Sequence, residues 1–359
     1  MRASFMEVDV NAFKENIKEI QKYVGDGVTL MPVVKANCYG TYINFRDDIL
    51  NDFKIVAVAI SEEGAVLRRS GYNNEVFCLN QPDIADFEEI VENNITIGLS
   101  SKEFLHDISN RKENVTVHLE IETGMGRTGI AVSDLEEFIE EIKKANNITI
   151  EGIYTHFSVA DTDEEYTRMQ IQKFKKAVEI AENKLGKLKY IHTSASNGIL
   201  NFKDSNFNLV RPGLIMYGYE SFEGAKKKIN LKPVAKLVST INFLKKVKKG
   251  ESISYGRKFI ADKDILVATV PLGYADGIRR DYLEKGYVVI NGRKAKIIGT
   301  ICMDSFMVDV TDVADVKVGS KAYIWDNDII TLEEMANSLN TISYEILSTI
   351  SNRVPRVFI

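Results

Sequence analysis

Eight short runs rich in β-branched residues recur along the first two-thirds of the chain, at 30–36, 54–60, 75–80, 95–99, 115–122, 148–157, 190–196 and 209–218. Between most of them lie stretches such as 83–91, 132–145 and 164–183, with apolar residues at helical spacing and charges on one face. Nearly continuous apolar strands alternating with amphipathic helices imply a parallel sheet whose outer face is covered. Eight such units are the number that closes into a (β/α)8 barrel, and an open doubly wound sheet is the other arrangement the pattern allows.

After about residue 230 the texture changes to strand-like segments with short turns, at 235–246, 265–271, 287–290, 294–299 and 307–310, and helical spacing survives only near 332–339. The expected architecture is therefore α/β: a (β/α)8 barrel over residues 1–230, then a mostly β C-terminal domain over 231–359. The boundary falls in 219–231, marked by Glu223-Gly224 and the basic run 226–228, and 359 residues suffice for two cores.

A formal charge of −5 supplies no general attraction for nucleic acid, and the lysine-rich runs 226–228 and 245–249 read as solvated faces. No apolar run approaches the roughly 18 residues that cross a bilayer, and the first residues lack a signal-peptide core, so the chain reads as cytoplasmic. Cys38, Cys78 and Cys302 form no Cys-x-x-Cys pair and no metal-ligand cluster; they read as small buried side chains or free thiols.

The active site of such a barrel opens at the carboxyl ends of its strands, where the first run ends Met-Pro-Val-Val-Lys35-Ala-Asn-Cys-Tyr39-Gly. A lysine amine placed there and partly desolvated can hold an aldehyde cofactor as a Schiff base. The sixth run ends Tyr-Thr-His156-Phe-Ser, the seventh His192-Thr-Ser-Ala-Ser196 and the eighth Val-Arg211-Pro-Gly213-Leu214; after the fifth comes Gly124-Met-Gly126-Arg127. Singly, His156 and His192 read as hydrogen-bonded core histidines, and Gly124 and Gly126 as an ordinary turn. Together these ends meet distinct requirements. Ser196 and the amides around Gly213 and Leu214 suit a phosphate, and the Arg127 guanidinium fork suits a substrate carboxylate.

Val-Val-Lys-Ala-Asn-Cys-Tyr-Gly, Thr-Gly-Met-Gly-Arg, Tyr-Thr-His-Phe, Arg-Pro-Gly-Leu-Ile-Met-Tyr-Gly, Ser-Tyr-Gly-Arg, Gly-Tyr-Ala-Asp-Gly, Cys-Met-Asp and Arg-Val-Pro-Arg occur in that order. In these segments the chain resembles the pyridoxal-phosphate-dependent alanine racemases over essentially its whole length. The resemblance implies that Lys35 carries pyridoxal 5'-phosphate and is the base on one face, while Tyr255 from the β domain of a second subunit acts on the other. It further implies a homodimer with shared sites, phosphate binding by Tyr39, Ser196, Gly213 and Leu214, and Arg211 facing the pyridine nitrogen. Arg127 and the Met303 amide would hold the substrate carboxylate, with Tyr274 and Asp161 lining the entry.

Racemisation removes the α-proton from one face and returns one to the other, so it needs two acid/base groups on opposite sides. Lysine and tyrosine both have reference pKa values near 10, so each must be depressed, and a cationic neighbourhood of His156 and Arg211 would favour tyrosinate. Arginine is a poor proton donor, which keeps the cofactor ring a weaker electron sink and limits side reactions.

Three positions depart from the family pattern. Glu120, seven residues before Arg127, stands where a carbamate-bearing lysine is common, and supplies an Arg-orienting charge without carbon dioxide. Asn352 stands before Arg-Val-Pro-Arg, where the resemblance implies a tyrosine beside the substrate side chain; a smaller residue with donor and acceptor would admit a hydroxymethyl group. Thr300 replaces an arginine of the entry passage. The site therefore resembles that of the serine racemases of the vancomycin-resistance type, in which the same unit is fused to a membrane domain. The resulting expectation is a racemase of serine and alanine that makes D-amino acids for the cell wall, with an alanine racemase of little serine activity as the alternative. A cofactor-binding barrel without turnover would leave Tyr255 no purpose, and a decarboxylase of basic amino acids would release the carboxylate that Arg127 is suited to hold.

Overall fold

The computed structural model describes residues 3–45, 49–222 and 224–359, and Glu223 of the expected boundary lies outside them. Eight parallel strands, Thr29–Leu30, Ile55–Val58, Glu75–Cys78, Ile95–Leu99, Val115–Glu122, Ile148–Tyr154, Tyr190–Ala195 and Leu209–Arg211, form one sheet. Its two ends meet through a parallel bridge between Val33 and Ala57. There the Val34 amide donates to Ala57 O and the Ala57 amide to Pro32 O, both at 2.8 Å, which closes the ring. The barrel expected from the eight β-branched runs is thus present.

The covering helices follow from their spacing and caps. Glu164–Leu185 buries Thr167, Gln170, Ile171, Phe174, Ala177, Val178 and Ala181, a stripe at three- and four-residue intervals. The Asp163 side chain accepts from the Tyr166 amide, acidic residues fill the first turn, and Gly186 at φ 80° ends the helix.

A nine-stranded sheet makes the second domain, in the order Phe243–Val247, Ile265–Val270, Phe306–Asp309, Arg293–Ile298, Tyr287–Ile290, Lys321–Trp325, Ala235–Thr240, Phe5–Val8, Arg356–Phe358. Two corrections to the sequence reading lie here. Residues 5–8, placed in the barrel unit 1–230, instead pair antiparallel with 235–238 and parallel with 356–358. The single run 235–246 is two strands separated at Ile241–Asn242, and they stand far apart in the strand order. The junction is anchored at the Ala235 carbonyl, which accepts from Tyr219 Oη at 2.8 Å, Asn327 Nδ2 at 2.9 Å and Trp325 Nε1 at 3.0 Å. Among the described residues no helix is long and apolar enough to cross a membrane, and no group of three or more metal-ligating side chains occurs.

Candidate active site

A cavity of about 270 Å³ opens among the carboxyl ends of the barrel strands, and Lys35, Tyr39, Arg127, His156, Asp161, Ser196, Arg211 and Gly213 all line it. Leu214 is buried directly behind Gly213, at the start of the turn Leu214–Tyr217. Residues from five different βα connections thus converge, as barrel geometry demands of a site at this end.

Lys35 ends the first strand region and is followed by an unusual backbone. Ala36, Asn37, Cys38 and Tyr39 all lie in the left-handed region, with φ between 51° and 54°. Each non-glycine residue there costs ~1–2 kcal/mol. The turn is held by Cys38 N–H to Val34 O at 2.9 Å, Gly40 N–H to Ala36 O at 2.7 Å and Tyr42 N–H to Asn37 O at 2.8 Å. Arg356 adds a bond from Nε to Gly40 O at 2.8 Å. Burial depresses the Lys35 amine pKa, and the Arg127 and Arg211 charges depress it further, against an opposing pull from Glu63. More of the amine is therefore neutral near pH 7 than for a free lysine.

Arg211 is buried, and its guanidinium is fixed by Nη1 to His192 Nδ1 at 2.7 Å and by Nη2 to Thr155 O at 2.8 Å and Thr193 O at 2.9 Å. Because an arginine can only donate, His192 Nδ1 accepts, so its Nε2 carries the proton and donates to His118 Nδ1 at 2.9 Å. Burial pushes the His118 pKa down to about 3 and takes His192 well below its ordinary value, and both are neutral. Burial lowers Arg211 to about 10, which leaves it charged at neutral pH. His192, a candidate for either role in the sequence, is a core histidine orienting Arg211.

His156 needs correction as a source of positive charge. Its accessible surface lines the cavity, but enclosure and the neighbouring Arg211, Arg127 and Lys35 charges press its pKa down to about 3. It is a neutral imidazole whose Nδ1 lies 3.3 Å from Arg211 Nη2.

The phosphate-type cradle has a measurable shape. The Gly213 amide donates to Ser196 Oγ at 3.2 Å, and a Cβ on Gly213 would fall 2.6 Å from Tyr39 Oη. Glu120 is buried on its strand with Oε1 3.9 Å from an Arg127 nitrogen. Burial holds its carboxyl above the ordinary range, while Thr128 and Arg127 oppose the shift.

Tyr255, Tyr274, Met303 and Asn352 do not line the cavity of their own chain. The first three are exposed on the β domain, Tyr255 by 72% and Met303 by 51%. Their turns are tied together: Tyr274 N–H donates to Cys302 O and Ala275 N–H to Met303 O, both at 3.0 Å, and the Thr300 hydroxyl donates to Tyr255 O at 2.9 Å. Thr300, expected at the entry passage, is buried and props the turn that presents Tyr255. Asn352 is exposed and accepts from the Tyr42 hydroxyl. From this C-terminal segment it is Tyr344, eight residues earlier, that lines the cavity, with its ring 5.8 Å from that of Tyr39. Sequence reasoning missed Tyr344 and also Tyr154, which lines the cavity and stacks on His192 at 5.1 Å. For Tyr154 the signal was present, since it belongs to the same strand end as His156.

Residues 8–221 match the family model described as alanine racemase, N-terminal domain, and residues 234–358 match alanine racemase, C-terminal domain. The chain is 36% identical over 371 residues to alanine racemase 1 of Clostridium acetobutylicum, covering 100% of this chain and 96% of the relative. To the alanine racemase of Carboxydothermus hydrogenoformans it is 35% identical, covering 100% of both. Among solved structures, the alanine racemase of Clostridium difficile superposes with a TM-score of 0.94 at 32% identity, covering 100% and 96% of the two chains. That of Bacillus anthracis with bound L-Ala-P gives 0.94 at 31% identity, covering 100% and 95%. None of these carries the serine racemase name that the reading of Asn352 led one to expect.

Proposed function

The chain belongs to the alanine racemase family and is an amino-acid racemase, an isomerase, and from that premise we propose that it interconverts L- and D-alanine with pyridoxal phosphate, using Lys35 and the Tyr255 of a second copy as its two bases. The observation that carries this reading is the convergence of Lys35, Arg127, Ser196, Arg211 and Gly213 on one cavity.

The residues fit the cofactor. Ser196 Oγ, the Gly213 and Leu214 amides and Tyr39 Oη would take its phosphate, in a cradle that a single added methyl group would fill. Among the described residues Arg211 Nη1 has one partner and Nη2 has three, while Nε makes no hydrogen bond, so an N–H of this guanidinium remains to donate to the ring nitrogen. When bound, pyridoxal phosphate draws electrons from the substrate Cα and acidifies its proton.

The rest of the work falls to side chains. Lys35, with its amine pKa depressed, takes or returns the proton on one face. Arg127, oriented by Glu120, binds the carboxylate and so fixes which face each base meets. Arg211 keeps its charge, so it would hold the ring nitrogen as a donor without giving up a proton to it. Tyr255 is exposed away from its own chain's cavity, and a homodimer that seats it, with Met303 and Tyr274, at the neighbour's cavity supplies the second face.

Alanine is favoured over serine because Asn352, on which the serine reading rested, is turned to Tyr42 while Tyr344 bounds the cavity. The test is incubation with L-alanine, and separately L-serine, in deuterated buffer. Exchange of the α-proton with inversion of alanine, far faster than of serine, supports the proposal. Serine turned over as fast as alanine would restore the serine reading, and carbon dioxide release or no exchange would refute racemisation here.

A further inference from the structure

Glu63, in the first turn of helix Ser61–Arg69, belongs to none of the roles above. Its Oε1 accepts the Ala36 N–H at 2.6 Å, and its Oε2 accepts the Ala59 N–H at 2.8 Å. One carboxylate therefore ties the residue that follows Lys35 to the residue just past strand Ile55–Val58, beside the Val33–Ala57 bridge that closes the barrel. Ala36 is also where the left-handed turn begins. A strained turn keeps its geometry only when its surroundings over-determine it, and Glu63 supplies the bond at its entrance. Two charge-assisted bonds from one rigid helix end are stronger and more directional than neutral ones.

Resting on the reading of Lys35 as the cofactor lysine, we infer that Glu63 is a positioning residue for Lys35: it fixes the turn from which the lysine projects and supplies the negative charge facing its amine. The charges acting through space on that amine are Arg127 from the glycine-rich turn, Arg211 from its strand end and Glu63 from its helix, while the neutral His156 and also Asp161 line the same cavity. Burial acts in the same direction as the two arginines. Among the described residues, Glu63 is the anion whose charge opposes them. A merely structural cap would hold the turn without changing when Lys35 loses its proton.

The experiment adds pyridoxal phosphate to the 359-residue chain, and to Glu63→Gln and Glu63→Asp, over a pH series. Brief exposure is quenched with borohydride, and the label on the Lys35 peptide is quantified by mass. Only the unprotonated amine reacts, so the midpoint reports its protonation. Glu63→Gln should move the midpoint down by about one unit, the low end of the effect of a nearby opposite charge. Glu63→Asp keeps the charge but is too short to span both amides; its midpoint should stay nearer the parent while kcat falls with little change in KM. An unmoved midpoint in a Glu63→Gln protein that still labels at Lys35 would overturn the inference, even if its melting temperature dropped. Absence of Lys35 labelling in the parent would instead refute the assignment of the cofactor lysine.

Discussion

Gly213→Ala offers a sharp perturbation because the added group has a calculable destination. The new Cβ would sit 2.6 Å from Tyr39 Oη and 3.7 Å from Ser196 Oγ, and the first distance is one that real Cβ atoms do not show. Tyr39 cannot swing clear cheaply: it is buried, its ring lies 4.9 Å from Tyr217 and 5.8 Å from Tyr344, and its backbone is already left-handed. Overpacking of this kind costs about 1–3 kcal/mol. The hydroxyl that must move is the one assigned to the phosphate, so most of that cost should fall on cofactor affinity, a loss of roughly 5- to 150-fold at ~1.4 kcal/mol per tenfold. Titration of cofactor-free protein with pyridoxal phosphate, followed by absorbance, gives the Kd, and thermal melts without cofactor give the part charged to folding. A variant that binds the cofactor as tightly as the parent would refute the phosphate cradle at Gly213, Ser196 and Tyr39.

Glu120→Gln should raise KM for alanine several-fold, because Arg127 loses its orienting charge, and parent activity should not depend on bicarbonate. The same change should keep or raise the melting temperature at pH 7: the Glu120 pKa is raised by burial, so its contribution to folding is fully present below its unfolded pKa and is lost as pH rises through the folded one. A fall in melting temperature with unchanged KM would reverse the assignment. For the parent, raised protonation of Glu120 predicts that KM increases on mild acidification, and that Glu120→Gln flattens this limb of the pH profile. Asn352→Ala should leave the alanine-to-serine ratio of kcat/KM within about twofold, whereas Tyr344→Ala should change it by roughly tenfold or more, as pocket-wall substitutions do. The opposite ranking would return Asn352 to the substrate.

What the sequence disclosed follows from what is local. The barrel was legible because each strand is a short β-branched run between amphipathic helices, and Lys35, Arg127, His156, Ser196 and Arg211 were found because strand ends are where such a fold opens. Strand Phe5–Val8 was misplaced because its partners lie about 230 and about 350 residues downstream and its four residues carry no period of their own. Asn352 was misjudged because nearness in sequence to Arg-Val-Pro-Arg was taken for nearness to the cavity. In the fold Arg356 binds the Gly40, Ile350, Ser351 and Val354 carbonyls, which fixes this segment against the first βα connection and leaves Asn352 outside. The charge of His156 was misread for a different reason: its neutrality depends on enclosure beside Arg211, from a strand more than fifty residues away.

The central claim is that each working site combines Lys35 of one chain with Tyr255 of another. Lys35→Ala and Tyr255→Phe, each prepared alone, should be nearly inactive in alanine racemisation. Mixed, dissociated and reassociated, the two should recover activity that neither shows alone, since a heterodimer places the intact Lys35 opposite the intact Tyr255. No recovery, with mixed dimers demonstrated by mass, would contradict the account and leave Tyr255 outside the shared site.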